Sequence, residues 1–158
     1  MAGDSLSTSY TTASFASKNA GTARTISVSG IAVTGTDAGN YTANSTATTT
    51  ANITPRSLTV SATGVNKVYD GTTTATVTLS DNRLSGDSLS ASYATATFAS
   101  KSVGTAKTVN VTGISLSGTD AANYSPNATA TATADITTRS LTVSATGVNK
   151  VYDGTTTA

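Results

Sequence analysis

Apolar and polar residues alternate along much of this chain. Leu58, Val60 and Ala62 are separated by Thr and Ser, the period of a half-buried strand. Val65 to Tyr69 is a second short run, ended by Asp70-Gly71. Ala75, Val77 and Leu79 alternate again, and Ser80 to Ser85 is a polar turn. A fourth strand runs through Leu89, Ala91 and Tyr93, and its unbroken extension to Phe98 is left open. After a loop at 100–105, Val109 and Val111 lead to Gly113, and Ile114 and Leu116 lead to Gly118. The turn Thr119 to Tyr124 then precedes an alternating Ala-Thr tract, Ala128 to Ile136. About seven strands with turn signals roughly every 8–12 residues predict an all-β fold. The leading expectation is tandem small antiparallel β-sandwich repeats, immunoglobulin-like, and the alternative is β-grasp-like domains.

The pattern occurs nearly twice. Gly3-Asp4-Ser5-Leu6-Ser7 returns as Gly86-Asp87-Ser88-Leu89-Ser90, an offset of 83 that also carries Tyr10 to Tyr93, Phe15 to Phe98 and Tyr41 to Tyr124. Residues 3–75 and 86–158 share 54 of 73 positions without any insertion, and Ser144 to Ala158 repeats Ser61 to Ala75 completely. Copies this alike read as recent tandem duplications, with selection acting on length or spacing. The block Lys67-Val68-Tyr69-Asp70-Gly71-Thr72-Thr73, repeated at 150–156, paces the chain. Gly71 and Gly154 suit positive φ, and Asp70 and Asp153 can bond backbone two residues on. Tyr69 is expected as a packed aromatic and Asp70 as the acid that fixes the turn. Asp37, Asn40 and Tyr41, with Asp120, Asn123 and Tyr124, mark a second turn closed by a Tyr.

Composition narrows the function more than it names it. Leu, Ile, Val and Phe total 26 of 158 residues, which is lean, but near-zero net charge (+1) and strict patterning argue for short strands rather than disorder. That charge gives no electrostatic pointer to nucleic acid or an anionic membrane. The chain has no Cys and no His, hence no disulfide framework, no thiolate metal site and no imidazole base. No run approaches the roughly 18–20 apolar residues of a membrane span. Met1-Ala2-Gly3 starts no basic region with an apolar core behind it, and reads as an initiator Met on a piece of something longer.

Gly3-Asp4-Ser5-Leu6 and its copy spell the motif of the GDSL esterases, whose Ser needs a His that this chain lacks, so the match reads as an Asp-Ser turn entering a strand. Asp37 with Asn40, and Asp120 with Asn123, offer calcium too few oxygens and read as turn formers. Lys18, Lys67, Lys101 and Lys150 raise Lys–Asn isopeptide chemistry, against the commoner solvated Lys. Asn40, Asn44, Asn52, Asn110, Asn123 and Asn127 open glycosylation sequons that an Asn-, Ser- and Thr-rich chain makes by chance. Thr46, Thr48 and Thr50 form too short a register for an ice-binding array. No catalytic, cofactor-binding or metal-binding residue is assigned, and no enzyme is expected.

These blocks together resemble a family. Lys67 to Thr73 and Lys150 to Thr156 look like the signature of the YDG repeat domain. Phe98 to Lys107 is similar to that family's second block, Gly118 to Tyr124 and Gly35 to Tyr41 to its third, and Ile53 to Val60 to the usual join between units. Thr138 departs from the join, where a Pro stands at position 55 of the first copy. The resemblance implies a place in filamentous-haemagglutinin-like adhesins, extracellular at the bacterial cell surface. There such repeats form a stalk or spacer that holds a distal binding region away from the cell. It implies no cofactor and names no host receptor; the implied partners are neighbouring repeats.

The repeat leaves its phase open. Starting at Gly3, the chain holds unit one at 3–82 and a slightly truncated unit two at 86–158, the simpler of the two readings. Starting near Leu58, it holds a partial unit at 1–57, a complete unit at 58–139 and a leading fragment at 140–158. In the second phase the fragment could complete another molecule, giving a homo-oligomer or fibre by strand exchange. A self-associating or ligand-binding adhesin module is therefore the alternative to a spacer.

Overall fold

The computed structural model describes residues 3–157. The first copy forms β1 (Ser7–Ser9), β2 (Thr12–Phe15), β3 (Gly21–Ser29), β4 (Ala32–Thr34) and β5 (Thr46–Ile53). The join carries β6 (Arg56–Leu58), followed by β7 (Val60–Gly64), β8 (Lys67–Val68) and β9 (Val77–Asp81). The second copy continues with β10 (Ser90–Ser92), β11 (Thr95–Phe98), β12 (Gly104–Thr112) and β13 (Ser115–Ser117). A single 3-10 turn at Ala121–Asn123 leads into β14 (Tyr124–Pro126) and β15 (Thr129–Thr137). Residues 138–157 carry no strand. The fold is all-β, in several small sheets, as the alternating pattern predicts.

The largest sheet has the order β11-β12-β15-β8. Its first three strands are antiparallel, but β8 joins β15 in parallel, with Lys67 beside Ile136 and Val68 beside Thr137. A second parallel pair sets β6 against β14, Arg56 beside Tyr124. The expectation of a wholly antiparallel fold is corrected here. The segment that opens the unit and the strands that close it run in the same direction, so their pairing is parallel. Two further antiparallel pairs, β7–β9 and β10–β13, complete the architecture.

The fourth strand is broken for a visible reason. β10 pairs with β13 and β11 with β12, so one long ribbon bends between two sheets at Tyr93-Ala94 and Gly113-Ile114. Gly113 sits at φ +68, and a Cβ there would lie 2.6 Å from the Ala94 methyl. A second irregularity marks the start of β12, where Ala106 takes φ 49 in a bulge and donates its N–H to Asp135 Oδ1 at 2.8 Å. The first copy repeats it with Ala23 and Asn52.

Among the described residues, every buried apolar side chain lies between Leu58 and Ile136. Val60, Val77, Phe98, Val109, Val111 and Ile136 form the centre of this core. The first copy builds the same ribbon, β2-β3-β5 with β1–β4, and buries none of its residues. The same residue in the same local sequence therefore has two fates. Leu58 is 2% exposed and Leu141 85%; Phe98 is 3% exposed and Phe15 41%.

Candidate functional site

The Tyr-Asp-Gly block folds into a closed loop around one ammonium group. Lys67 leaves β8 and turns its Nζ back over the loop, where it donates to Asp70 Oδ1 (2.8 Å), Thr74 O (2.9 Å), Thr72 O (3.0 Å) and Thr72 Oγ1 (3.1 Å). Asp70 Oδ1 also accepts from the Thr72 N–H and O–H, both at 2.9 Å. Gly71 makes the reversal at φ +81. The Lys67 ammonium, then the two Thr72 donors, hold the Asp70 carboxyl down at about 2. None of the four acceptors around the Lys67 Nζ is an Asn side chain, the partner that a Lys–Asn isopeptide bond needs. Lys67 also stands 5.5 Å from the Phe98 ring centroid, which ties the loop to the core.

Tyr69 is partly buried against that core, and its N–H donates to Thr137 O at 2.9 Å, extending the β8–β15 pairing by one residue. Tyr152 does not reproduce this: it is 93% exposed. Its loop is closed all the same. Lys150 Nζ donates to Asp153 Oδ1 at 2.9 Å and to Thr155 and Thr157 oxygens, and Gly154 turns at φ 73. Lys150 first, then Thr155, lowers the Asp153 carboxyl below the ordinary value.

The other predicted turn lies where the two copies meet. Asp120 Oδ2 accepts the Ser88 N–H at 2.9 Å, which fixes the Gly-Asp-Ser-Leu turn and gives that Ser a structural place. Tyr124 is buried; its O–H donates to Asp87 Oδ2 at 2.6 Å and accepts the Leu84 N–H at 3.0 Å. From the first copy, the 17–20 loop reaches across. Lys18 Nζ lies 3.2 Å from Asp87 and 3.6 Å from Asp120. The Ala20 N–H donates to Asn123 Oδ1 at 2.8 Å. The Tyr124 hydroxyl, then Lys18, lowers the Asp87 carboxyl, and Asp87 raises the Lys18 amine. Asp37 and Tyr41 stand in the corresponding places of the first copy: Asp37 Oδ2 accepts the Ser5 N–H at 2.8 Å, and Tyr41 donates to Asp4. Asn40 is exposed there, in a 3-10 turn like that of Asn123.

Two kinds of residue escaped the sequence reading. The first is the Lys18–Asp87 pair; its only trace is that both residues recur at the repeat offset, as Lys101 and Asp4. The second is a set of Asn residues weighed only as sequons, or not at all. Asn127 acts as a strand substitute: its Oδ1 accepts the Val60 N–H at 2.7 Å and its Nδ2 donates to Val60 O at 3.0 Å. Asn66 accepts from the Asp135 N–H, and Asn82 from the Thr59 N–H. No sequence signal separates such an Asn from any other.

A closed Lys-Asp-Thr loop, a β repeat of 83 residues and polar contacts between successive copies define a tandem β-repeat protein. The family model of the YDG domain matches residues 1–51 and again 54–133, and the chain belongs to the YDG domain family. No curated protein and no solved structure matches it.

Proposed function

We propose that the chain is a stretch of stalk from an extracellular bacterial adhesin, whose repeats hold a distal binding region away from the cell. Each unit, on this reading, is a small β-sandwich. The β11-β12-β15-β8 sheet forms one layer, and β7–β9 with β10–β13 covers it. The unit's phase starts near Leu58, because the buried residues run from there to Ile136.

The observation that carries the spacer reading is the joint. A strand of the join, β6, is shared with the second copy through β14, and Lys18 and Ala20 grip Asp87, Asp120 and Asn123 across the boundary. A linker paired into a sheet and clamped by side chains suits a device that transmits length better than a loose tether does. The test is to vary repeat number in the surface-displayed parent. Particle length should rise by a constant increment per unit while binding by the tip stays unchanged once the tip clears the surface. Strong binding of the isolated two-repeat chain to cells or glycans would instead make it an adhesive module.

A further inference from the structure

We infer that residues 56–69 and 124–137 form a tension-bearing lock, loaded in shear whenever the chain is pulled along its length. That tension arises in use rests on the stalk reading; the strength of the lock does not. The two segments open and close the unit and run side by side in the same direction. Arg56 lies beside Tyr124 and Leu58 beside Pro126. Further along, Gly64 comes against Thr133, and Lys67 and Val68 pair with Ile136 and Thr137. The Tyr69 N–H then donates to Thr137 O at 2.9 Å. Where the backbone pairing lapses, Asn side chains bridge the gap. Asn127 Oδ1 accepts the Val60 N–H at 2.7 Å and its Nδ2 donates to Val60 O at 3.0 Å, while Asn66 Oδ1 accepts the Asp135 N–H at 2.7 Å.

The direction of the strands decides how these contacts are loaded. The last strand of the first copy, β5, ends at Ile53 and β6 starts at Arg56, so tension enters the unit at the beginning of the opening segment. It leaves beyond Thr137, at the end of the closing one. Because the segments are parallel, the first is drawn backwards and the second forwards along their common axis. All the bonds between them then stretch together. Antiparallel neighbours in the same places would be pulled from one end and part bond by bond. A single hydrogen bond contributes little net stability, so resistance comes from loading the whole set at once. Residues 70–123 lie off this path and carry no tension while the lock holds. Forced unfolding is governed by the rate of unfolding rather than by equilibrium stability, so the lock has a signature that core packing alone lacks.

The test is single-molecule pulling of the full chain through pairs of introduced cysteines, since the chain has none of its own. Thr54→Cys with Thr138→Cys applies force across the lock in shear. Thr54→Cys with Thr119→Cys applies it from one end, because Thr119 lies in the turn just before Tyr124, which stands beside Arg56. All three Thr are exposed. The shear pair should need a several-fold higher force than the end pair; equal forces, or a weaker shear pair, would overturn the inference. Within the shear pair, Asn66→Ala should lower the unfolding force. Ile114→Val, in the buried core but in neither segment, should lower the urea midpoint and leave that force nearly unchanged. Forces that simply follow the urea midpoint at both positions would show ordinary stability in place of a lock and would overturn it as well. None of these readings involves particle length against repeat number, so a weak lock and a failed spacer are told apart.

Discussion

Phe15 and Phe98 are the same residue in matching strands of two copies, and they give an internally controlled measurement. Phe98 is 3% exposed and Phe15 41%. On the roughly 150–250 Å² that a Phe side chain buries, that difference is about 60–95 Å² of apolar surface. At ~25 cal/mol/Å² it corresponds to about 1.4–2.4 kcal/mol. A cavity term widens the gap, because only the Phe98 site is enclosed, and truncating an enclosed Phe costs about 3–5 kcal/mol. Phe98→Ala also removes the ring beneath Lys67, worth about 0.5–1 kcal/mol at a partly exposed site. A domain of this size has roughly 0.05–0.15 kcal/mol of stability per residue, so Phe98→Ala takes much of the total and Phe98→Leu is the safer companion. The assay is urea unfolding, followed with amide exchange to separate the copies. Phe98→Ala should lower stability by at least about 1.4 kcal/mol more than Phe15→Ala. Amides of β12 should also outlast those of β3. Equal losses for the two variants would refute the unequal burial from which the reasoning starts.

Other outcomes follow from individual contacts. Asn127→Ala leaves the N–H and C=O of buried Val60 without partners and should cost about 2–3 kcal/mol, while Asn44→Ala should cost less, both read from denaturant midpoints. Gly64→Ala should destabilise the protein through the clash with Thr133 O, and Gly147→Ala should not, in the same assay. Asp70 titrates at about 2 against an ordinary 3.8, so its folded value is depressed. Its stabilisation of the loop is complete above the ordinary value and is lost as pH falls through about 2; the Thr72 amide shift should report that midpoint, and one near 3.8 would show the loop open in solution. Lys18→Ala should widen the range of angles between copies in solution scattering, and salt should do the same to the native chain, since Lys18 is mostly exposed and its pair is screened.

What could be read from the residues was what is local. The strand alternation, the Gly turns and the Lys-Asp-Thr loops depend on residues a few positions apart, and the repeat is read by direct comparison of the two copies. Which segment is buried did not follow, because Leu58 and Leu141 have identical neighbours in sequence and opposite surroundings in space. The parallel pairs were invisible for a related reason. Lys67 and Ile136 are joined across the whole unit, and period-2 patterning fixes a strand's face but not its partner's direction. The joint was equally hidden, since Lys18 is an ordinary surface Lys until Asp87 and Asp120 are brought beside it.

The Tyr-Asp-Gly loop separates these two kinds of information. Around Lys67 it is packed on Phe98 and β15; around Lys150 it has no core beneath it. Yet the ammonium meets the same acceptors in both, Asp70 at 2.8 Å and Asp153 at 2.9 Å, and the following Thr closes on each carboxylate at 2.9 Å. The loop's conformation is thus set by its own nine residues, and tertiary packing is added to it afterwards. The contacts that close the loop lie within seven residues of the Lys, whereas the β8–β15 pairing joins Lys67 to Ile136 across the whole unit, so only the second needs the rest of the chain in place.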